Sequence, residues 1–180
     1  MAAWCYPVLN GARGHQYSVQ AGTGFLDPGY FKARHMHHTG CDFNATTGGD
    51  SDLNDPVFCI SDGIVQNVGY YRGWGWVVLV FHPSANVWSQ YAHLKLVDKN
   101  VKPGVTLECG QPLGTIGKGD KNQFWAHLHF EIRKKLLSAF EWPSNTLPPS
   151  MAEEFIRLHY VDPLKFLAKV KAFKRLEDLD

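Results

Sequence analysis

Nine histidines in a chain of 180 residues are many, and they cluster. Two of them lie in the run Ala126-His127-Leu128-His129-Phe130-Glu131-Ile132-Arg133, where apolar Leu128, Phe130 and Ile132 alternate with polar His127, His129, Glu131 and Arg133. A period of two is the signature of a strand, which turns the apolar set to a core and holds both imidazoles on the other face, roughly 7 Å apart. Imidazoles held that close suit metal binding, or a ligand beside a catalytic base. The competing reading is a polar strand face that carries two histidines with no shared task. A second cluster, His35-Met36-His37-His38-Thr39-Gly40-Cys41-Asp42-Phe43, places His38 and Asp42 four residues apart. In an extended chain His38, Gly40 and Asp42 share one face with no side chain on the middle residue, while Thr39, Cys41 and Phe43 point inward. A helix also puts positions i and i+4 on one face, but Gly40, Thr39 and the missing helical period of apolar residues favour the extended form. Here the competing reading is a histidine-rich surface loop. Pooled with His93, the candidates are His38, Asp42, His93, His127 and His129. Two histidines and a carboxylate hold zinc with one coordination position open, and two histidines are left over. Zinc lowers the pKa of a bound water to about 7 and polarises a carbonyl; a histidine can take a proton from that water, steady an oxyanion or protonate a leaving amine. That combination is what amide hydrolysis requires. Residue types alone leave open which of His127 and His129 is the ligand.

These residues need a sheet to position them, and the chain supplies strand patterns. Ile64 to Val68 reads as a short strand after the Asp62-Gly63 turn. Gly69-Tyr70-Tyr71-Arg72-Gly73 reads as a hairpin loop, and Trp74 to His82 as an apolar, β-branched central strand. Val87 to His93 alternates, which places Ser89, Tyr91 and His93 on one face. Leu113 to Gly117 is a further short strand. Many short strands with no helices between them predict a mainly β, antiparallel core. Residues 1–34, rich in turn formers and aromatics, read as loops and short strands laid over it, and 35–135 as the core itself. The tail, 148–180, changes character. Ser150-x-x-Glu153 has the form of a capping box opening a helix to about His159. Asp162-Pro163 is an N-cap followed by proline, after which Leu164, Leu167, Val170 and Phe173 recur at helical spacing. The expectation is one domain, 1–180, with a β core and C-terminal helices.

Composition removes other classes. A formal net charge of +1 argues against a nucleic-acid binder that works through bulk electrostatics. The longest apolar run, Trp76 to Phe81, is too short to span a bilayer. The four cysteines (Cys5, Cys41, Cys59, Cys109) have no CxxC spacing, so buried free thiols are the expectation, with any disulfide pairing open. Asp50-x-Asp52-x-Asn54-Asp55 is a polar turn rather than a calcium loop, which needs glycine where Asp55 stands and glutamate where Ser61 stands. Gly117-Lys118-Gly119 lacks the full phosphate-loop pattern. The first residues, Met1 to Pro7, have no basic start and no apolar run, so no Sec-type leader is read there.

The joint pattern resembles the lysostaphin-like zinc endopeptidases that cut peptide cross-bridges in bacterial peptidoglycan. That family's His-x-x-x-Asp motif matches His38 to Asp42, its Tyr-x-His-Leu matches Tyr91-Ala92-His93-Leu94, and its His-Leu-His-Phe-Glu-Ile matches His127 to Ile132 letter for letter. The likeness runs over roughly residues 7–167. The resemblance implies a β-sheet peptidase core with loops forming a narrow cleft, and one zinc held by His38, Asp42 and His129. It implies His127 as the general base, His93 assisting and steadying the transition state, and Tyr91 lining the cleft near the metal. His82 is read as supporting, and His35 and His37 as having no ligand role. The family often carries a short Ser/Thr-Gly stretch before its last motif; here Asn122-Gln123-Phe124-Trp125-Ala126 stands instead, which puts Phe124 and Trp125 on one cleft wall with Tyr70, Tyr71 and Trp74 opposite.

Two other readings compete. Two histidines and a carboxylate also form the facial triad of non-haem iron enzymes, but those place the carboxylate two residues after the first histidine rather than four, and the cupin pattern needs a glutamate further on than Glu131. A non-catalytic cell-wall-binding or virion module on the same fold usually lacks a ligand or catalytic histidine, and all five candidates are present. The expectation is therefore a monomeric zinc endopeptidase acting on peptidoglycan peptides. With no leader read, it would reach the wall as a phage-type, bacteriolytic endolysin or by another export route.

Overall fold

The computed structural model describes residues 2–138 and 143–179; the remainder of the expected 1–180 domain, Met1, 139–142 and Asp180, lies outside the described residues. In chain order the elements are β1 (Cys5–Asn10), β2 (Tyr17–Val19), α1 (Pro28–Arg34), β3 (Cys41–Ala45), β4 (Pro56–Phe58), β5 (Gly63–Tyr71), β6 (Gly75–His82) and β7 (Val87–Val97). They continue with β8 (Thr106–Leu107), β9 (Pro112–Ile116), β10 (Leu128–Arg133), α2 (Pro143–Thr146), α3 (Pro149–His159), β11 (Tyr160–Val161), α4 (Pro163–Lys169) and β12 (Phe173–Arg175). The main sheet runs β2-β3-β10-β7-β6-β5-β8, and all these pairs are antiparallel. The mainly β, antiparallel fold class read from the sequence is the one observed.

The alternation of β10 works as expected on one face. Leu128, Phe130 and Ile132 are buried in a core shared with Phe43, Val57, Val65, Val78, Val80, Tyr91 and Leu113. The other face, His129, Glu131 and Arg133, is buried as well, so these polar groups must satisfy one another. Trp4, near the first strand, and Phe166 and Leu167, from α4, join the same core. The central position of β10 between β3 and β7 sets the site: His129 stands directly opposite Asp42 on one side and Ala92 on the other.

Strand β7 breaks the alternation assumed for it. Its register against β6 slips between Val78↔Tyr91 and Trp76↔Leu94, so three steps on β7 match two on β6. The extra residue is a β-bulge, and His93 there has φ 62, in the left-handed region. Ser89 and Tyr91 therefore face the core, and Leu94 rejoins it, while His93 is turned to the face of His129. Beyond the bulge β7 leaves β10 and pairs with β9.

Other boundaries differ from the sequence reading. Strand β5 runs through Gly69-Tyr70-Tyr71, and the turn is confined to residues 72–74. Asp27-Pro28-Gly29, among the turn formers of the stretch 1–34 read as loops and short strands, opens α1: Asp27 Oδ1 accepts hydrogen bonds from Gly29 N and Tyr30 N. The expected capping box does not form, because α3 begins at Pro149 and its N-cap is Pro148, leaving Ser150 inside the helix. Asp162 does cap α4, accepting from Leu164 N and Lys165 N, but the helix stops at Lys169, and Phe173 belongs to β12, which pairs parallel with β1. All four cysteines are free.

Candidate metal centre

Antiparallel pairing of β3 and β10 brings Asp42 and His129 face to face, and the segment leading into β3 adds His38. Three donor atoms converge: His129 Nδ1 is 3.0 Å from Asp42 Oδ1 and 3.1 Å from His38 Nε2, and His38 Nε2 is 3.2 Å from Asp42 Oδ1. The ring hydrogens are committed elsewhere. His38 Nδ1–H donates to Gly24 O at 2.9 Å, and His129 Nε2–H donates to Glu131 Oε1 at 3.0 Å. His38 Nε2, His129 Nδ1 and a carboxylate oxygen therefore converge on one spot that favours positive charge, whether a proton on His129 or a metal ion in its place. Zinc bonds of about 2.0–2.1 Å at tetrahedral angles put neighbouring donors about 3.3 Å apart, which the observed triangle fits. Among the described residues this is the one group of histidine, cysteine, aspartate or glutamate donors close enough to share an ion.

A second layer fixes the first. Glu131 receives His129 Nε2–H on one oxygen, together with the Thr39 hydroxyl at 2.5 Å; the other accepts from Arg133 Nε at 2.8 Å and lies in ion-pair contact with Arg133 Nη2 at 2.7 Å. Thr39 thus turns to this carboxylate rather than into the apolar core. Burial raises the Glu131 pKa, but Arg133, His129 and Thr39 outweigh it and hold the group down at about 2. Burial likewise opposes charge on Asp42, yet His38, His127 and His129 hold its carboxyl well below the ordinary range. For His129 burial opposes the proton, and hydrogen bonds and fields from Asp42 and Glu131 overcome it and raise the imidazole to about 9. Two anions flanking this ring make its Nδ1 a strong cation site, the orienting carboxylate partner expected for a metal-bound histidine.

His93 and His127 stand beside the triangle. Trp74 O accepts both the backbone N–H of His93, at 3.0 Å, and its Nδ1–H, at 2.9 Å. The Trp74 ring stacks on His93 with centroids 5.8 Å apart and meets His129 edge-on at 5.4 Å. Burial, then the fields of His127 and His129, push the His93 imidazole well below its usual value, so it is neutral with Nε2 unprotonated. His127 donates Nδ1–H to Trp125 O at 2.8 Å, which leaves Nε2 free, 3.9 Å from Asp42 Oδ2. The two rings lie 4.8 Å apart.

A cavity of about 650 Å³ opens over these groups. Of the residues expected on its walls, Trp74 and Phe124 line it, and Trp125, 71% exposed, lines an adjoining groove that shares Asp42, Phe124 and His127. Tyr70 does not reach the cavity; its hydroxyl donates to Asp120 at 2.8 Å and its ring borders a separate depression. Tyr71 lines neither and donates to Asn67 Oδ1. Tyr91, expected near the metal, is wholly buried in the core, and its hydroxyl accepts from Ile60 N at 3.0 Å. The bulge at His93 is the reason: Tyr91 and His93 are two apart yet face opposite ways. His82 is buried against Ser89 and the Asp62 carbonyl; His35 is the left-handed C-cap of α1, and His37 stacks on Phe31. Sequence reasoning missed Tyr30, whose ring stacks on His38 at 4.3 Å. The signal was there in the Asp27-Pro28 cap, since a helix at 28–34 carries Tyr30 toward the cluster.

A zinc-type donor triangle, two adjacent histidines and an open cavity on an antiparallel sheet define a metallopeptidase-like site. The chain belongs to peptidase family M23, the lysostaphin-like peptidases, whose model matches residues 36–140. The Peptidoglycan DD-endopeptidase ShyC of Vibrio cholerae is 29% identical over 104 residues, 57% of this chain and 23% of that protein. The L-Ala--D-Glu endopeptidase of Bacillus subtilis is 30% identical over 105 residues, 55% of this chain and 32% of that protein. The chain thus matches about a quarter to a third of the length of these curated relatives. A zinc containing peptidase from Vibrio cholerae superposes with a TM-score of 0.52 at 26% identity, over 72% of this chain and 36% of that one. Among the described residues, no helix is long and apolar enough to cross a membrane.

Proposed function

We propose that this chain is a zinc-dependent endopeptidase that hydrolyses amide bonds in peptidoglycan peptide cross-bridges, working as a single, monomeric catalytic domain. The observation that carries the reading is the donor triangle, with His38 Nε2, His129 Nδ1 and an Asp42 oxygen directed at one spot. Membership of family M23 and relatives named as peptidoglycan endopeptidases support the substrate class. His38, Asp42 and His129 would hold the ion, with Glu131 fixing the ring of His129. Bound zinc supplies a Lewis acid that lowers the pKa of water to about 7 and polarises the scissile carbonyl. His127, with Nε2 free at the cavity, takes the proton from the attacking water and returns it to the leaving amine, one ring acting as base and then acid. His93, whose only ring hydrogen is on Trp74 O, offers an acceptor and orients that water; in this tautomer it has no N–H to give an oxyanion. Trp74 and Phe124 wall the reacting groups from bulk solvent.

The test is digestion of purified sacculi from several bacteria, with mass spectrometry of the released peptides. New amino termini within cross-bridges, lost with a chelator and restored by zinc, are the expected result. Stoichiometric zinc with no new termini from any wall would overturn the reading.

A further inference from the structure

The cavity over the donor triangle is more positive than a neutral peptide amide requires. Asp42, itself one of the donors, is the only carboxylate among its described lining residues, whereas two arginines line it: Arg34 from the last turn of α1 and Arg72 from the turn between β5 and β6. They come from separate walls, and Arg34 also borders the adjoining groove past His127. Among the described residues neither forms an ion pair. Asp120, which feels the field of Arg72, has its oxygens on the Tyr70 hydroxyl and the Gly73 N–H. Gln123 donates to Gly73 O at 2.6 Å and so braces the turn that carries Arg72.

We propose that Arg34 and Arg72 set the specificity of the site, so that the cleft takes peptides carrying free carboxylates on both sides of the scissile amide and rejects uncharged bridges such as oligoglycine. The proposal rests on the peptidase reading and deepens it. A guanidinium presents a planar fork of donors that matches a carboxylate with two parallel hydrogen bonds. A neutral segment in the same cleft would cover two guanidinium groups and return no acceptor of equal strength, so it is disfavoured as well as less favoured. Both side chains are exposed in the free protein, which leaves them free to swing onto a ligand and makes their replacement harmless to folding.

The test uses zinc-loaded protein and three probes: a cross-linked muropeptide dimer with free carboxylates, the same dimer with its carboxylates converted to carboxamides, and pentaglycine. Cleavage gives kcat and KM, and calorimetry on the His127→Ala variant gives binding without turnover. Amidation is expected to raise KM and Kd by about tenfold or more with little change in kcat, as losing a charged hydrogen bond does, and pentaglycine is expected to stay uncut. Arg34→Gln and Arg72→Gln should each weaken the free-carboxylate dimer alone. Equal handling of the free and amidated dimers, or equal losses on both in the variants, overturns the proposal while leaving the peptidase reading intact. If the wild type cuts no probe and releases no new termini from sacculi, the peptidase reading falls; whenever no probe is cut, the calorimetry decides separately: discrimination between the two dimers sustains the carboxylate cleft, and its absence overturns it.

Discussion

Replacing Gly40 with alanine tests how tightly the sheet specifies the metal centre. A Cβ on Gly40 would stand 2.1 Å from Phe130 O and 2.9 Å from Glu131 Cγ. The nearer atom is backbone in the central strand β10, so no side chain can rotate out of the way. Reaching a tolerable separation of about 3.2 Å needs a relative shift of about 1 Å between residues 38–42 and β10, in a core that is packed solid. That shift falls across the donor triangle, since His38 and Asp42 stand on one side of it and His129 on the other. Opening the 3.0 and 3.1 Å separations by about 1 Å takes them close to the ~4.2 Å span of two ligands on opposite sides of one zinc, and three donors can no longer surround the ion. Gly40→Ala is therefore expected to weaken zinc binding by about 100-fold or more, at least as much as loss of an orienting partner, and to lower the stability of the metal-free protein by about 3 kcal/mol. Competition against a chromophoric chelator reads the first quantity and urea unfolding the second. A zinc Kd and an urea midpoint both unchanged from wild type would show that the β3–β10 junction yields to a methyl group, and the argument would fail.

Other substitutions separate the remaining roles. His127→Ala should keep stoichiometric zinc by elemental analysis and lose cleavage by about 10²–10⁴-fold; loss of the zinc instead would mean that the ligand and base assignments are exchanged. Glu131→Gln should weaken zinc binding by about 10–100-fold by releasing the His129 ring, a result that the same chelator competition can contradict. Tyr91→Phe should leave cleavage unchanged and cost about 1–3 kcal/mol in urea unfolding, because Ile60 N–H loses its buried acceptor; a selective loss of kcat would return Tyr91 to the cleft. Burial holds the His82 imidazole down to about 4, against an ordinary 6.5. The unfolded chain therefore takes up this proton first, and the stability at stake is intact above pH 6.5 and lost as the pH falls toward 4. The gap amounts to about 3 kcal/mol, so the stability of wild type relative to His82→Gln should fall across that window, and parallel pH profiles of unfolding would refute it.

The donors were legible because strand alternation is a strong constraint. Once β10 turns Leu128, Phe130 and Ile132 inward, His129 and Glu131 have one face to occupy, and Asp42 needs only to come from a neighbouring strand. The same rule misplaced Tyr91, because it presumes an unbroken strand, and a bulge with a left-handed histidine leaves no mark in residue types. Helix α1 was missed for a different reason. Asp27-Pro28 carries the same capping grammar as Asp162-Pro163, but seven helical residues with Gly29 among them offer too little apolar period to distinguish a short helix from a turn. At Ser150 the local signal lost to its neighbour: two prolines start the helix two residues early, and a serine inside the first turn cannot cap it. Phe173 kept the helical spacing and still left the helix, because a place beside β1 existed for it. Sequence alone makes the polar face of β10 a ligand platform, but the stack of His129, Glu131 and Arg133 beneath it follows only once that face is buried.

Trp74 O binds the same histidine twice, at its backbone and at its ring, with the indole stacked alongside. The consequence is one of entropy. These contacts pin the side chain of His93 before any substrate arrives, so the freedom it surrenders is lost when the chain folds and not when a peptide binds. Immobilising a side chain at the moment of binding typically costs about 0.5–1.5 kcal/mol, and here that cost is moved into the folding equilibrium, together with the strain of a non-glycine residue at positive φ. A rigid imidazole makes the fold slightly less stable and the encounter with substrate correspondingly less demanding.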